Sequence, residues 1–213
     1  MLTYKTVKSE SKIEIVINKS RFIGHCFPIL DEDEAAGILA RLRKEYWDAS
    51  HNCYAYVLGE TGMLARFSDD GEPGGTAGMP ILDVIRKKGL TYTLIVVTRY
   101  FGGILLGAGG LVRAYSNSAA RAAEAAGMVS VEPAFEIELV VDYSRYGAVE
   151  GFVRENSQVS STEFTDAVTM RVMLPETAAE DFIAEIVERT DGRVRPVISG
   201  SGSIKRVLDS GLA

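Results

Sequence analysis

The stretch TLIVVTRYFGGILLGAGGLVRAYSNSAARAAEAA, residues 93–126 of a 213-residue chain, decides the fold. Its first six residues are apolar or β-branched, which favours a strand that is covered on both faces. A glycine-rich loop follows. The alanine-rich residues 111–126, closed by Gly127, are typical of a long helix. A buried strand that leads through a glycine loop into a long helix predicts a domain that mixes strands and helices.

The residues before this stretch add further strands and helices. Alternating apolar residues predict four strands, over residues 13–17, 21–28, 53–58 and 64–67. Asp31 is placed to cap a helix whose apolar side chains recur at helical spacing up to Tyr46. Thr76 is the expected cap of another helix, over residues 80–88, that ends at Gly89.

The C-terminal part follows a simpler order of elements. The predicted elements are a strand over 135–141, a helix over 144–155, a hairpin of strands over 159–164 and 168–174, a helix over 176–190 and a strand over 195–198. The order βαββαβ is that of the ferredoxin-like fold. We therefore expect an α+β protein of two domains, residues 1–128 and 133–200, with a loosely packed tail over 201–213.

Composition and charge limit the class of protein. Hydrophobic residues make up 46% of the chain, but no apolar run approaches the roughly 18 residues that span a bilayer. The first residues lack the apolar core of a secretory signal, so we expect a cytoplasmic protein without a membrane partner. Residues 1–128 carry a net charge of +1, and residues 129–213 carry −7. Nucleic acid, if bound, should therefore meet the N-terminal domain.

Cysteine and histidine usage gives no metal or cofactor signature. Cys26 and Cys53 lie in apolar, strand-like segments, which predicts buried thiols. No CxxC or HxxxH spacing occurs, so no structural zinc and no cofactor are expected. His51 and Cys53 share one face of a predicted strand. A histidine that hydrogen-bonds to loop backbone beside a buried cysteine is favoured over an activated thiolate.

The acidic loop SDDGEPGGT, residues 68–76, has two interpretations. Asp69, Asp70 and Glu72 offer three carboxylates within four positions, which are suitable ligands for a divalent cation. Their spacing is not that of an EF-hand. The other interpretation is a tight turn in which the carboxylates cap a helix or pair with nearby arginines such as Arg21 and Arg66.

The glycine-rich loop over residues 102–110 also has two interpretations. It fits neither the P-loop pattern nor the dinucleotide-binding pattern. Its backbone amides and the neighbouring Arg99 and Arg113 suit an anion at the start of the following helix. Alternatively, the glycines let strand and helix pack closely.

Four segments together resemble the Impact family of the bacterial YigZ type. They are SRFIGHCFPI (20–29), HNCYAYVLG (51–59), RFSDDGEPGGTAGMPIL (66–82) and TRYFGGILLGAGGLVRAYS (98–116). The resemblance implies an N-terminal domain like domain 2 of ribosomal protein S5, and a C-terminal domain like the last domain of elongation factor G. It also implies a non-enzymatic role in the regulation of translation.

The sequence thus predicts a charged and aromatic binding face on the N-terminal domain. The expected partner is RNA or the ribosome, or a translation-associated protein; the oligomeric state is left open. The alternative is a metal-assisted or hydrolytic enzyme that uses His51 and the acidic loop. The predicted binding residues are Arg21, His51, Arg66, Asp69, Asp70, Glu72, Arg99, Tyr100 and Arg113.

Overall fold

A five-stranded antiparallel sheet organises the N-terminal part of the chain. The structure is a computed structural model that describes residues 2–208. The elements up to residue 126 are β1 (Tyr4–Val7), β2 (Ser11–Ile17), β3 (Ser20–Pro28), α1 (Glu32–Glu45), β4 (His51–Leu58), β5 (Leu64–Ser68), α2 (Gly78–Lys87), β6 (Thr93–Tyr100) and α3 (Gly107–Ala126). Within residues 2–208, the sheet has the order β2-β3-β6-β4-β5, and all neighbours are antiparallel.

Strand β6 lies at the centre of this sheet and is buried on both faces. Ile95 and Val97 pack with α2 and α3 in one core, whereas Leu94 and Val96 pack with α1 in the other. The prediction of a strand covered on both faces is therefore confirmed. Helices α2 and α3 contact each other on one side of the sheet, and α1 covers the other side.

The start of α1 follows the sequence prediction. The Asp31 carboxylate accepts a hydrogen bond from the Glu34 backbone N–H at 2.8 Å, and the Glu34 carboxylate accepts one from Leu30 N–H. This reciprocal arrangement satisfies two N–H groups at the start of the helix that would otherwise lack partners. The stripe of apolar residues on α1 faces the sheet, with Leu39 and Leu42 buried.

The C-terminal elements have the ferredoxin-like order. They are β7 (Met128–Val141), α4 (Tyr143–Asn156), β8 (Gln158–Phe164), β9 (Val168–Pro175), a short 3₁₀ turn (Glu176–Ala178), α5 (Ala179–Arg189) and β10 (Val197–Val207). Within the described residues the sheet has five strands in the order β1-β7-β9-β8, and β10 also pairs with β7. Alternate residues of β7 and β9 pack against α4 and α5 in a core of their own. The residues divide into two compact units, 2–130 with 206–208, and 131–205.

Four elements differ from the sequence predictions. One is β7, which begins at Met128 rather than at residue 135. The last strand, expected over 195–198, continues to Val207 because it pairs with β7 through backbone hydrogen bonds that need no apolar pattern. Residues 201–208 are therefore not a loose tail, and residues 209–213 lie outside the described part. Strand β1 was not predicted. Helix α3 begins at Gly107 rather than at residue 111. The sequence does not predict its first turn because glycine, in which this turn is rich, disfavours a helix.

Helix α3 packs closely against β3 at Gly24. A Cβ atom at this position would lie 2.7 Å from Ser118 Oγ and 2.9 Å from the Ser118 carbonyl oxygen. Both atoms belong to α3, so the glycine sets the distance between helix and sheet. None of the helices in residues 2–208, α3 included, has the length and apolarity to cross a membrane.

Replacing Gly24 by alanine should push α3 away from the sheet. We expect Gly24→Ala to lower the free energy of unfolding by about 1–3 kcal/mol, the usual cost of overpacking a core. The matched control is Gly37→Ala in α1, where an added Cβ meets no atom within 4 Å. That change should raise stability by about 0.5–1 kcal/mol because alanine favours the helix. Urea denaturation measures both; equal effects of the two changes would contradict the close-packing account.

Candidate functional site

The acidic loop between β5 and α2 is held by Asp69. Its Oδ1 accepts hydrogen bonds from the backbone N–H groups of Ala77 (3.0 Å) and Gly78 (2.8 Å), and its Oδ2 accepts one from Gly75 N–H (2.8 Å). Asp69 therefore caps the start of α2 from eight residues upstream. The expectation that Thr76 caps this helix is wrong, since its hydroxyl donates to the Pro73 carbonyl. The carboxylate also suits the positive end of the helix dipole.

Asp70 joins the same loop to strand β4. Its Oδ2 accepts a hydrogen bond from Asn52 N–H at 2.6 Å, and its carbonyl oxygen lies 2.8 Å from His51 Nδ1. The Asn52 side chain in turn accepts a hydrogen bond from Thr98 of the neighbouring strand β6. His51 therefore bonds to loop backbone, as the preferred interpretation of the sequence predicted.

Glu72 lies at the buried centre of the site. Its Oε1 accepts hydrogen bonds at 2.7 Å from both Arg99 Nη1 and the Tyr115 hydroxyl. The exposed fractions are 8% for Glu72 and 5% for Arg99, and Tyr115 is fully buried. His51 Nε2 lies 3.8 Å from the same carboxylate oxygen. Burial is the main cause that raises the pKa of Tyr115, so its hydroxyl keeps its proton and donates to Glu72.

Arg99 connects the acidic loop to the glycine-rich loop. Its Nη2 donates to Ser20 Oγ (3.4 Å), which also accepts a hydrogen bond from Gly102 N–H (3.1 Å). The guanidinium lies between the rings of Phe22 and Phe101, at 5.4 Å and 5.5 Å from their centroids. The two loops of the N-terminal unit are therefore joined through one buried arginine.

The metal interpretation of the acidic loop finds no support in this geometry. The three carboxylates already accept hydrogen bonds from backbone amides or from Arg99 and Tyr115. Within residues 2–208, no three side chains of the metal-binding types are grouped to hold an ion. The loop is ordered by donors of the protein itself, as the capping interpretation predicted. The arginine that pairs with it is Arg99, so the expected pairing with Arg21 and Arg66 is wrong.

Cys53 is part of the buried layer. Its Sγ lies 3.0 Å from the Asp69 carbonyl oxygen and 3.4 Å from the Tyr115 hydroxyl. Burial raises the pKa of the Cys53 thiol to about 12, and it does the same for Cys26. Both cysteines are fully buried, as the sequence predicted. A protonated, buried thiol is a poor nucleophile, so His51 and Cys53 do not form a thiolate pair.

The structure brings together five of the nine predicted binding residues: His51, Asp69, Asp70, Glu72 and Arg99. Three others lie on the α1 side of the sheet. There Arg21 forms a bidentate ion pair with Glu14. The Arg66 guanidinium lies 3.7 Å from the Glu32 carboxylate, and the Tyr100 hydroxyl donates to Asp48. Arg113 is exposed on α3 and has no ion pair within the described residues.

Two members of the cluster were not predicted, Ser20 and Tyr115. Ser20 directly follows the turn between β2 and β3 and begins β3 opposite Ile17. Tyr115 lies on α3 and directs its hydroxyl to Glu72. The position of Arg99 inside the cluster could have been predicted from strand alternation. Arg99 follows Ile95 and Val97 at strand spacing, which places it on the α2–α3 face of β6.

Several exposed residues adjoin this cluster along the chain. Phe101 is 48% exposed and Leu105 is 86% exposed. Gly102 lies so close to the turn before β3 that an added Cβ would come within 2.0 Å of the Lys19 carbonyl carbon. Arg113 Nη1 extends back along α3 to within 3.6 Å of a Cβ built on Gly109. We refer to Lys19, Phe101, Leu105 and Arg113 as the outer face.

Fold and site together define a two-domain α+β protein, with a buried polar cluster under exposed loops of the N-terminal unit and a ferredoxin-like C-terminal unit. The predicted fold class is confirmed. The family profile described as Impact N-terminal domain matches residues 18–123, and the one described as Domain of unknown function (DUF1949) matches residues 139–193.

Relatives extend this similarity over most of the chain. The IMPACT family member YvyE of Bacillus subtilis is 40% identical and covers 90% of this chain and 88% of its own. The IMPACT family member YigZ of Escherichia coli is 33% identical over 84% of this chain and 89% of its own. A crystal structure titled as that of a hypothetical protein has a TM-score of 0.59 and 30% identity, covering 92% and 97% of the two chains. The chain belongs to the IMPACT family, which supports a role in the regulation of translation in general terms.

Removing the Asp69 carboxylate should loosen the acidic loop and the start of α2. We expect Asp69→Ala to lower the free energy of unfolding by about 1–3 kcal/mol, because three backbone N–H groups lose their acceptor. The control is Asp83→Ala, an exposed aspartate in the middle of α2. Chemical denaturation compares the two variants. If Asp83→Ala is as destabilising as Asp69→Ala, the capping role is wrong.

The two thiols should resist modification while the protein is folded. Their raised pKa values keep them protonated at pH 8, and burial blocks access of a reagent. On unfolding, the pKa returns to an ordinary value near 8.5, so a large thiolate fraction forms. A disulfide exchange reagent should therefore titrate both cysteines in urea and neither in buffer. Rapid reaction of one thiol in buffer would contradict the described environment of that cysteine.

Proposed function

We propose that the protein regulates translation by binding RNA, free or on the ribosome, through the outer face of the N-terminal unit. Family membership supports the link to translation. The observation that carries the choice of this face is the position of Phe101, whose half-exposed ring lies on the Arg99 guanidinium. An aromatic ring with one face supported and the other open to solvent is the arrangement on which unpaired bases stack.

Two hydrogen bonds hold the start of the loop that presents Phe101, which favours binding. Phe101 N–H donates to Ser50 Oγ at 3.1 Å, and Gly102 N–H donates to Ser20 Oγ. The first two residues of the loop after β6 are thus bonded to β3 and to the segment before β4. A platform that is already ordered loses little conformational entropy when a base binds.

The charge around Phe101 suits a phosphate backbone. Lys19 and Arg113 are exposed, and neither forms an ion pair within residues 2–208. Helix α3 begins nearby without an acidic residue in its first turn and without a side-chain cap. Free cations close to an uncapped helix start attract anions. In contrast, the C-terminal half carries −7, which disfavours phosphate.

A binding function also fits better than the enzyme alternative. That alternative needs carboxylates free to hold a metal or to move a proton. In the structure, the oxygens of Asp69, Asp70 and Glu72 already accept hydrogen bonds that hold the loop together. The exposed groups next to them are aromatic, aliphatic and cationic, which are groups that make contacts with a macromolecule.

Ribosome and RNA co-sedimentation tests the proposal with a double variant, Phe101→Ala with Arg113→Ala. We expect affinity to fall by about tenfold or more, since stacking of one base alone contributes about 1–3 kcal/mol. The control is Arg121→Ala, a change of an exposed arginine two turns further along α3. Circular dichroism should show both proteins folded, because the replaced side chains lie outside the buried cluster.

The outcome separates RNA from protein partners. Equal sedimentation of the wild type and the double variant would show that the outer face is not the contact surface. Binding to ribosomes that survives nuclease treatment and is lost in a Leu105→Ala variant would instead assign the face to a protein partner. Binding to RNA oligonucleotides that increases at low salt and is lost in the double variant supports the proposal.

A further inference from the structure

A cavity of about 240 Å³ lies between the β2–β3 hairpin and the C-terminal half of α1. It is on the α1 side of the sheet, away from the cluster around Glu72. Its apolar surface comes from Phe27 and Leu42, and charged side chains from both elements surround it. The volume is slightly below the range of about 300–1,000 Å³ typical of small-molecule sites, so a ligand would have to be small.

His25 forms part of the wall of this cavity. It lines the cavity, is only 5% exposed, and its Nε2 has no hydrogen-bond partner among residues 2–208. The ring lies between those of Phe27 and Tyr46, with centroids at 6.0 Å and 5.5 Å. Burial lowers the pKa of His25 to about 4, so the neutral ring offers one donor and one acceptor at pH 7. His25 therefore adds no charge to the cavity wall at neutral pH.

The charges around the cavity are balanced and partly unpaired. Glu10 and Lys12 belong to the hairpin side, and Arg41 and Glu45 belong to α1. Lys12 and Glu45 face each other at 3.9 Å. Arg41 and Glu10, in contrast, form no ion pair within the described residues, and the Arg41 guanidinium rests over the Phe27 ring at 5.5 Å.

We propose that this cavity binds a free α-amino acid as a zwitterion. The carboxylate would pair with the Arg41 guanidinium, which has the planar fork that carboxylates fit. The ammonium group would pair with Glu10, and an aliphatic side chain would cover Phe27 and Leu42. A simple anion is disfavoured by the two glutamates, and a simple cation by Lys12 and Arg41.

Titration calorimetry with each of the twenty free L-amino acids tests the charge requirement. Acetate and methylammonium serve as probes that carry one end of the zwitterion only. We expect at least one amino acid to bind at millimolar concentration or below, and neither probe to bind. If no amino acid binds, the proposal is wrong. If acetate binds as tightly as the best amino acid, the site is a plain anion site and the zwitterion is excluded.

Two variants locate the binding. Arg41→Met should weaken binding of the best amino acid by about tenfold or more, because the ligand carboxylate loses a charge-assisted hydrogen bond. Arg43→Met replaces another exposed arginine of α1 that does not line the cavity, and it should bind as the wild type does. Equal affinity of the two variants for the amino acid would show that it binds outside this cavity. RNA binding should be unchanged in Arg41→Met, which separates this result from that for the outer face.

Discussion

The buried ion pair between Glu72 and Arg99 determines how the N-terminal unit arranges its loops. The two charged groups are 2.7 Å apart and almost without exposure to solvent. A buried ion pair is stabilised by further hydrogen bonds to both of its partners. Tyr115 supplies the second donor to Glu72, and Ser20 the second acceptor for Arg99, whose Nε has no partner within residues 2–208. Loss of one charge would leave the other uncompensated, at a cost of about 3–5 kcal/mol.

This constraint divides the polar residues of the two loops into an inner and an outer layer. Asp69, Asp70, Glu72 and Arg99 form bonds within the protein and order the loops. Phe101 and Arg113 remain available to a partner. The inner layer matters for binding because it fixes the position of Phe101, whose ring lies directly on the Arg99 guanidinium. The buried polar residues of the inner layer thus hold Arg99 in the position in which it contacts Phe101 of the outer face.

The sequence predicts much of the fold because apolar periodicity and local caps act over short distances. Strand β6, buried on both faces, and the Asp31 cap of α1 follow from a few neighbouring residues. The cap of α2 does not, because Asp69 reaches its N–H groups only after the acidic loop has folded. Strand β10 is likewise stabilised by backbone pairing with β7, which leaves no apolar pattern in its own residues.

The site was predictable in composition but not in geometry. Arg99 and Arg113 both stand next to the glycine-rich loop, yet one is buried against Glu72 and the other is exposed. Strand alternation could have predicted that Arg99 lies on the buried face of β6. No local pattern, however, predicts Glu72 as its partner, because the two residues are 27 positions apart in the sequence. The distinction matters for specificity. Since the N-terminal half is nearly neutral, the proposed recognition of RNA would depend on stacking and shape more than on charge.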